Sequence, residues 1–275
     1  MSDCDNIRSI VEAGLCTGCG ACAGVCRCSA VAMTETAWGG LQAVVDEARC
    51  VHCGRCAEVC GGARLAPGLL PDGADPFRGT VRAAYLCAAA DNALRRDAQS
   101  GGAVTALLLH QLDAGGIDRA VVTKLSGETP LRPVSLCTDS REEILAARGS
   151  KYCPTAACAV VPRENGTPER IAFVGLPCQV HSLRNGQRSG RYAGVELVFG
   201  LICDRTLAYG AMDYLLEAAG VAPPDAARFD YRSKAWRGWP GDVRVRTRDG
   251  AVRDLDRAER MRIKDAFTLP RCWLC

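Results

Sequence analysis

No stretch of the chain approaches the roughly 18 consecutive apolar residues that a membrane span needs. The longest apolar candidates, Ala103–Leu109 and Val195–Cys203, are far shorter. Neither sign of charge dominates. Charged residues make up 24% of the chain and the net charge is +3, which excludes the strong basic excess of a nucleic-acid binder. Arg95–Arg96 and Arg244, Arg246 and Arg248 read as solvated faces. The opening residues, MSDCDNIRSI, lack the basic start and apolar stretch of a signal peptide. A cytoplasmic protein is expected, with no nucleic acid and no membrane span.

Cysteine, by contrast, is plentiful. Eighteen cysteines in a small secreted chain would suggest a disulfide framework. A chain of 275 residues without an export signal has the length for about two domains and can build its own core. Abundant cysteine in a reducing compartment then points to metal or cluster ligation.

The arrangement sharpens this. Cys16-x2-Cys19-x2-Cys22-x3-Cys26 is repeated 34 residues later as Cys50-x2-Cys53-x2-Cys56-x3-Cys60. A 4Fe–4S cubane needs four converging thiolates, and three cysteines at three-residue steps in one tight loop can cap three of its irons. The fourth is expected to leave the loop, turn into the following helix and serve the other cluster, as in two-cluster ferredoxins. Cys16, Cys19, Cys22 and Cys60 are therefore assigned to one cluster, and Cys50, Cys53, Cys56 and Cys26 to the other. Gly18, Gly20 and Gly54 suit loops whose amides approach sulfur closely. The alternative, a pair of zinc sites, usually takes paired cysteines separated by a longer loop. Residues 8–64 resemble bacterial two-cluster ferredoxins, except that Arg27 and Gly61 replace the proline after each fourth cysteine. Cys4 and Cys28 fall outside the pattern and read as free thiols.

Residues 65–80 carry three prolines and three glycines and read as a linker. Beyond it, Val81–Ala90, Ala120–Lys124, Arg170–Gly175, Gly194–Cys203 and Asp242–Arg248 read as strands. Gly101–Ala114, Arg141–Arg148 and Ala208–Ala219 read as helices. Such alternation predicts an α/β body. The expected architecture is an α+β ferredoxin-like N-terminal domain (1–64), the linker, and an α/β flavin-binding body in two parts, 81–165 and 166–275.

Three body segments stand out. Ser100-Gly101-Gly102 before an apolar helix suits a phosphate at a helix start, or is a plain cap by Ser100. Gly149-Ser150-Lys151-Tyr152 is a binding loop or a surface turn. Phe173-Val174-Gly175-Leu176-Pro177-Cys178-Gln179 ends a strand where α/β proteins place ligands, or holds a buried thiol. In this order, and followed by Gly200-Leu201-Ile202-Cys203, Tyr231-Arg232-Ser233-Lys234, Gly238-Trp239 and Cys272-x2-Cys275, they resemble the family of coenzyme F420 hydrogenase/dehydrogenase beta subunits.

That resemblance implies an FAD-dependent iron–sulfur oxidoreductase. It would exchange electrons with a hydride carrier, coenzyme F420 or another, and work with a redox partner protein or larger reductase complex. The alternative is a non-catalytic electron-transfer subunit. The resemblance puts Ser100, Gly101, Gly102, Thr105, Ser150, Lys151, Tyr152, Gly175 and Pro177 at the FAD, with Lys151 as a cation near its phosphates. It also implies a third 4Fe–4S cluster on Cys178, Cys203, Cys272 and Cys275. Cys87, Cys137, Cys153 and Cys158 lie outside the family motifs and are expected to be buried thiols. Arg205, Arg232, Lys234 and Arg237 flank the motifs and are candidate cations for the acidic tail of coenzyme F420. In the family the last Cys-x-x-Cys is followed by an acidic, glycine-containing stretch, whereas this sequence stops at Cys275; a contact supplied from beyond it would be missing.

Overall fold

Glycine decides how the cysteine blocks meet the rest of the chain. The computed structural model describes residues 6–63, 75, 79–128, 131–163 and 169–275. The N-terminal part comprises α1 (Arg8–Glu12), α2 (Ala21–Val25), β1 (Val31–Glu35), β2 (Leu41–Val45) and α3 (Arg55–Glu58). β1 and β2 form an antiparallel hairpin in register from Val31–Val45 to Glu35–Leu41. The small core beneath it, Ile7, Ile10, Val31 and Ala43, is completed by Cys22 and Cys56. One expectation is corrected here. Cys26 is the C-terminal cap of α2, and Cys60 likewise follows α3, so each fourth cysteine ends a helix rather than entering one.

The body runs through α4 (Asn92–Asp97), α5 (Ala103–Asp113), β3 (Arg119–Leu125), β4 (Pro133–Thr138), α6 (Arg141–Ala146), β5 (Ile171–Gly175), α7 (Pro177–Arg188) and β6 (Val195–Gly200). Its sheet has the order β4-β3-β5-β6, with β3, β5 and β6 parallel and β4 an antiparallel edge. β3 and β5 are apolar along most of their length because both faces are covered. Val121 and Phe173 point into one core, and Ala120, Val122 and Ala172 into the other. The chain then adds α8 (Gly210–Ala218), an antiparallel meander of β7 (Ala226–Ser233), β8 (Asp242–Thr247) and β9 (Val252–Leu255), and α9 (Arg257–Arg262). α8 packs Met212, Leu215 and Leu216 against Phe229, Tyr231, Val243 and Val245.

The mixed α/β architecture and most of the expected elements are present. Val81–Ala90 is an exception. It forms no strand, and Val81, Tyr85 and Leu86 are exposed. Apolar character alone does not make a strand, and here Ala89 N–H donates to the Gly101 carbonyl instead of to a neighbouring strand. The expected linker lies mostly outside the described residues, as does Cys4. The cap of α5 is not Ser100 but Gly102, at φ +73°, a left-handed conformation that glycine adopts freely.

The ferredoxin-like part is not tethered to the body but shares a core with it. Cys19, Ala21, Val25 and Val59 pack with Val121, Phe173, Leu183 and Tyr192. α2 lies against a 3-10 turn, Ala157–Val160. A Cβ at Gly20 would stand 2.7 Å from that of Ala156, and one at Gly24 2.7 Å from the Cys158 carbonyl oxygen, so only glycine allows the approach. Cys158 N–H donates to the Cys19 carbonyl at 2.9 Å, and the buried Tyr192 hydroxyl to that of Ala21 at 3.1 Å. Tyr192→Phe is expected to lower stability by about 1 kcal/mol through the lost hydrogen bond. Tyr192→Ala is expected to cost about 3–5 kcal/mol through the cavity. Urea unfolding measures both, and an unaffected Tyr192→Ala protein would contradict a shared core.

Candidate cluster and cofactor sites

Cys60, of the second cysteine block, lies beside cysteines of the first. Cys60 feels the charges of Cys19 and Cys16, and Cys22 those of Cys19, Cys16, Cys60 and Cys56, so Cys60 neighbours the first block and Cys22 neighbours both. In the second, Cys56 neighbours Cys53, Cys50 lies 4.0 Å from Asn6 Nδ2, and Cys26 accepts from Ala30 N–H at 3.2 Å. Burial pushes the Cys60 thiol up to about 12 and raises those of Cys16, Cys22 and Cys56. Cys19 moves the other way, to about 6, held by a hydrogen bond with Cys158 and then by one with Ser182. Buried thiols of this kind stay protonated until a metal displaces the proton.

Tetrahedral zinc with bonds of about 2.3 Å holds its thiolates only about 3.8 Å apart. Among the described residues, the one His/Cys/Asp/Glu group whose donor atoms all lie within 4.8 Å of one another is Glu47, Cys50 and His52. No set of four cysteines is that tight. Glu47 is in any case paired with Arg8 at 2.9 Å.

Cys178, Cys203, Cys272 and Cys275 also converge. Cys178 lies in the first turn of α7, its thiol raised to about 12 by burial and then by the charges of Cys19, Cys203 and Cys272. Cys203 is raised by burial, then by Cys272 and Cys275. Thr206 N–H points at Cys272 Sγ, 3.5 Å away. This second group therefore neighbours the first through Cys19. Of the other thiols, Cys153 and Cys158 are buried as expected, whereas Cys137 and Cys28 are half-buried and Cys87 is exposed.

A cavity of about 750 Å³ opens at the carboxyl ends of the parallel strands, where α/β folds bind ligands. Its apolar floor is Leu108, Val122, Ile144 and Val174; Thr105, Gly149, Ser150, Lys151, Tyr152 and Gly175 line the wall, and Cys203 borders it. Pro177 starts α7 just beyond the wall, and Gln179 fastens that turn by accepting from Leu176 N–H at 2.8 Å. Ser100, Gly101 and Gly102 are not among the lining residues. Gly101 is required for another reason, since a Cβ there would lie 2.9 Å from the Cys87 carbonyl oxygen.

The expected cations are largely engaged elsewhere. Lys151 Nζ donates to the carbonyls of Ala147, Arg148 and Gly149, which uses all three of its donors and ties the loop after α6, while burial draws it down to about 7. Lys234 caps the carbonyls of Arg95 and Ser100, and Arg237 pairs with Asp242 and Asp256. Arg205 lines the cavity but pairs with Asp265 and Asp204. Arg232 also lines the cavity, its Nε on the Pro240 carbonyl. Sequence reading missed α9, whose Arg257 and Arg260 line the same wall, with Lys264 just beyond. Arg260 Nε is buried without a hydrogen-bond partner among the described residues. Burial, and then Arg232 and Arg257, depress the Arg260 guanidinium, against the opposing pull of Tyr152 and Asp242. An arginine cannot give up its proton, so the wall keeps this positive charge, with Asp242 the carboxylate that offsets part of it.

Residues 84–161 and 168–275 match the N-terminal and C-terminal parts of the coenzyme F420 hydrogenase/dehydrogenase beta subunit, and residues 15–61 match a 4Fe-4S dicluster domain. The chain belongs to the family of coenzyme F420 hydrogenase/dehydrogenase beta subunits. It is an iron–sulfur member of an oxidoreductase family. It is 31% identical over 152 residues to the coenzyme F420-dependent sulfite reductase of Methanocaldococcus jannaschii, covering 50% of this chain and 24% of that one. It is 28% identical over 257 residues to a chain of the F(420)H(2) dehydrogenase of Methanosarcina mazei, covering 90% and 69%. The chain thus spans from about a quarter to about two thirds of these relatives' length. The fold is similar to a chain of the F420-reducing [NiFe] hydrogenase complex from Methanosarcina barkeri, with a TM-score of 0.55, 23% identity, and 74% and 68% of the two chains covered. No helix among the described residues of this beta-subunit-like chain is long and apolar enough to cross a membrane.

The crossed grouping is tested by Cys60→Ala in the full chain. Iron per chain should fall by about four. The EPR signal lost should be the one lost in Cys19→Ala, not the one lost in Cys53→Ala. Loss of the Cys53 signal instead would mean that each block serves its own cluster.

Proposed function

We propose that the chain passes electrons between its 4Fe–4S clusters and a hydride carrier through FAD bound in the cavity, and that the carrier is coenzyme F420. The observation that carries this reading is the buried Arg260 Nε, without a hydrogen-bond partner among the described residues, next to Arg232 and Arg257 on the wall of a large apolar-floored cavity that Cys203 borders. A flavin, when bound, supplies the exchange between two-electron hydride chemistry and one-electron cluster chemistry.

The residues present fit such a group. The apolar floor accepts a flat ring and excludes water from it. Thr105, Ser150 and the backbone at Gly149 and Gly175 offer polar contacts at the wall, and Tyr152 shapes its side. Lys151, fully engaged by carbonyls, positions the 149–152 loop. In this reading Ser100, Gly101 and Gly102 set the start of α5 and so orient Thr105. Arg232, Arg257 and Arg260 meet the phosphates of the FAD or the phosphodiester and acidic tail of coenzyme F420. Cys178, Cys203, Cys272 and Cys275 hold a third cluster between the cavity and the ferredoxin-like part. The larger assembly in which the chain works is a second element of the proposal. Ile202 is fully exposed, and Trp273 and Leu274 are exposed beside Cys272 and Cys275, an apolar surface that a partner protein would cover. That surface also favours the second reading, a non-catalytic electron-transfer subunit.

Anaerobic stopped-flow mixing of the isolated chain with reduced coenzyme F420, NADH and reduced ferredoxin separates these readings. Flavin bleaching by reduced coenzyme F420 is expected. Bleaching by NADH alone would contradict the choice of carrier, and no bound flavin would leave only the electron-transfer reading. In Arg260→Glu, binding of the anionic ligand should weaken about tenfold to a hundredfold, the worth of a charge-assisted hydrogen bond. Equilibrium titration of FAD and coenzyme F420 measures it, and wild-type affinity for both would remove Arg260 from the site.

A further inference from the structure

Ser182 lies in the middle of α7, one turn beyond Cys178, and is 0% exposed. A serine hydroxyl inside a helix often bonds back to its own backbone. This one reaches instead into the ferredoxin-like part. Its Oγ accepts from Gly61 N–H at 3.0 Å and lies 3.3 Å from Cys19 Sγ. Gly61 follows Cys60, so one body side chain touches the surroundings of two cysteines assigned to the same cluster. Beside it, the buried Cys158 thiol has an acceptor in the Gln179 carbonyl at 3.4 Å. The pocket around Cys19 is thus built partly by α7 and the 157–160 turn.

A hydroxyl has one hydrogen and two lone pairs. With Gly61 N–H already donating to Ser182 Oγ, that hydrogen is free for one acceptor. A cysteine that ligates iron is a thiolate and has no hydrogen to give, so the Cys19–Ser182 bond then has one possible direction. The geometry points to Ser182 as a positioning residue that donates a hydrogen bond from the body to the Cys19 thiolate and raises the reduction potential of that cluster above its ferredoxin partner's. Hydrogen bonds to cluster sulfurs are among the protein's levers on potential. Adding an electron increases negative charge on the thiolates, so a donor to sulfur favours the reduced state. α7 carries Cys178 as well, and the one helix therefore sets the potential of the cluster nearest the second cysteine group. The cluster of Cys26, Cys50, Cys53 and Cys56, whose Cys53 is exposed, has no such donor from the body among the described residues.

The inference rests on the reading of Cys19 as a cluster ligand. The full chain, purified anaerobically, and its Ser182→Ala and Ser182→Cys variants are titrated with dithionite and followed by EPR. The signal absent from Cys53→Ser identifies the other ferredoxin cluster. In Ser182→Ala the reduced-to-oxidised ratio of the Cys19 cluster at a fixed potential should fall about tenfold, which is about 59 mV for one electron. Ser182→Cys, a weaker donor of similar shape, should fall by less, and the other clusters should keep their midpoints. Unmoved midpoints in both variants would overturn the proposal, and so would an equal shift of every cluster, the mark of a loosened fold. Where Ser182→Ala loses the cluster, Ser182→Cys decides alone, and a wild-type midpoint there overturns the proposal. Wild-type protein without ferredoxin-type EPR signals ends the cluster reading itself, whereas full signals with unmoved midpoints end only this inference.

Discussion

The close approach of α2 to the 157–160 turn is the constraint on which the remaining arrangement depends. Gly20 and Gly24 remove the two Cβ atoms that would hold these elements apart, and Cys158 N–H and the Tyr192 hydroxyl then close on α2 carbonyls. Only at that separation does Cys19 reach Ser182, and only then does Cys178 neighbour Cys19. A ferredoxin unit on a free linker would have to find its acceptor by diffusion. Here the fold holds the two cysteine groups beside each other.

The same economy governs the cavity. The strands β3 and β5 supply Val122, Val174 and Gly175 to the cavity, α5 and α6 add Leu108 and Ile144, and the segment after β6 brings Cys203 to its border. α9 then lays Arg257 and Arg260 along the wall next to Arg232, where burial and mutual repulsion make the charge costly unless an anion meets it. Carboxylates neutralise Arg205 and Arg237, and carbonyls occupy Lys151 and Lys234. In the proposed reading, Arg232, Arg257 and Arg260 are the cations that a phosphate or an acidic tail would meet.

Much of this was legible in the sequence, and the exceptions have physical causes. The doubled cysteine spacing is visible because cluster ligation demands fixed intervals, and the parallel strands because both of their faces are buried. α7 was missed because its buried positions include Gln179, Ser182, Asn185 and Gly186, which cap, bridge and pack closely instead of forming an apolar stripe. β7 and β9 were hidden by charges that pair on the sheet, such as Arg244 with Asp254. Arg257-Ala258-Glu259-Arg260 looks like a solvated helix face and instead lines the cavity on one side. Val81–Ala90 misled in the opposite sense, being apolar in sequence yet largely exposed and outside any strand. Gly101 drew attention as a phosphate contact and is needed against the Cys87 carbonyl.

In the proposed reading, the neighbouring cysteine groups and the cavity that the second one borders form a line of clusters ending at a cofactor. Diffraction at the iron absorption edge from anaerobically grown crystals of the full chain tests this most directly. Three four-iron sites are expected: one among Cys16, Cys19, Cys22 and Cys60, one among Cys26, Cys50, Cys53 and Cys56, and one among Cys178, Cys203, Cys272 and Cys275. Anomalous density confined to the first two, or a single zinc ion at any of the three, would contradict it.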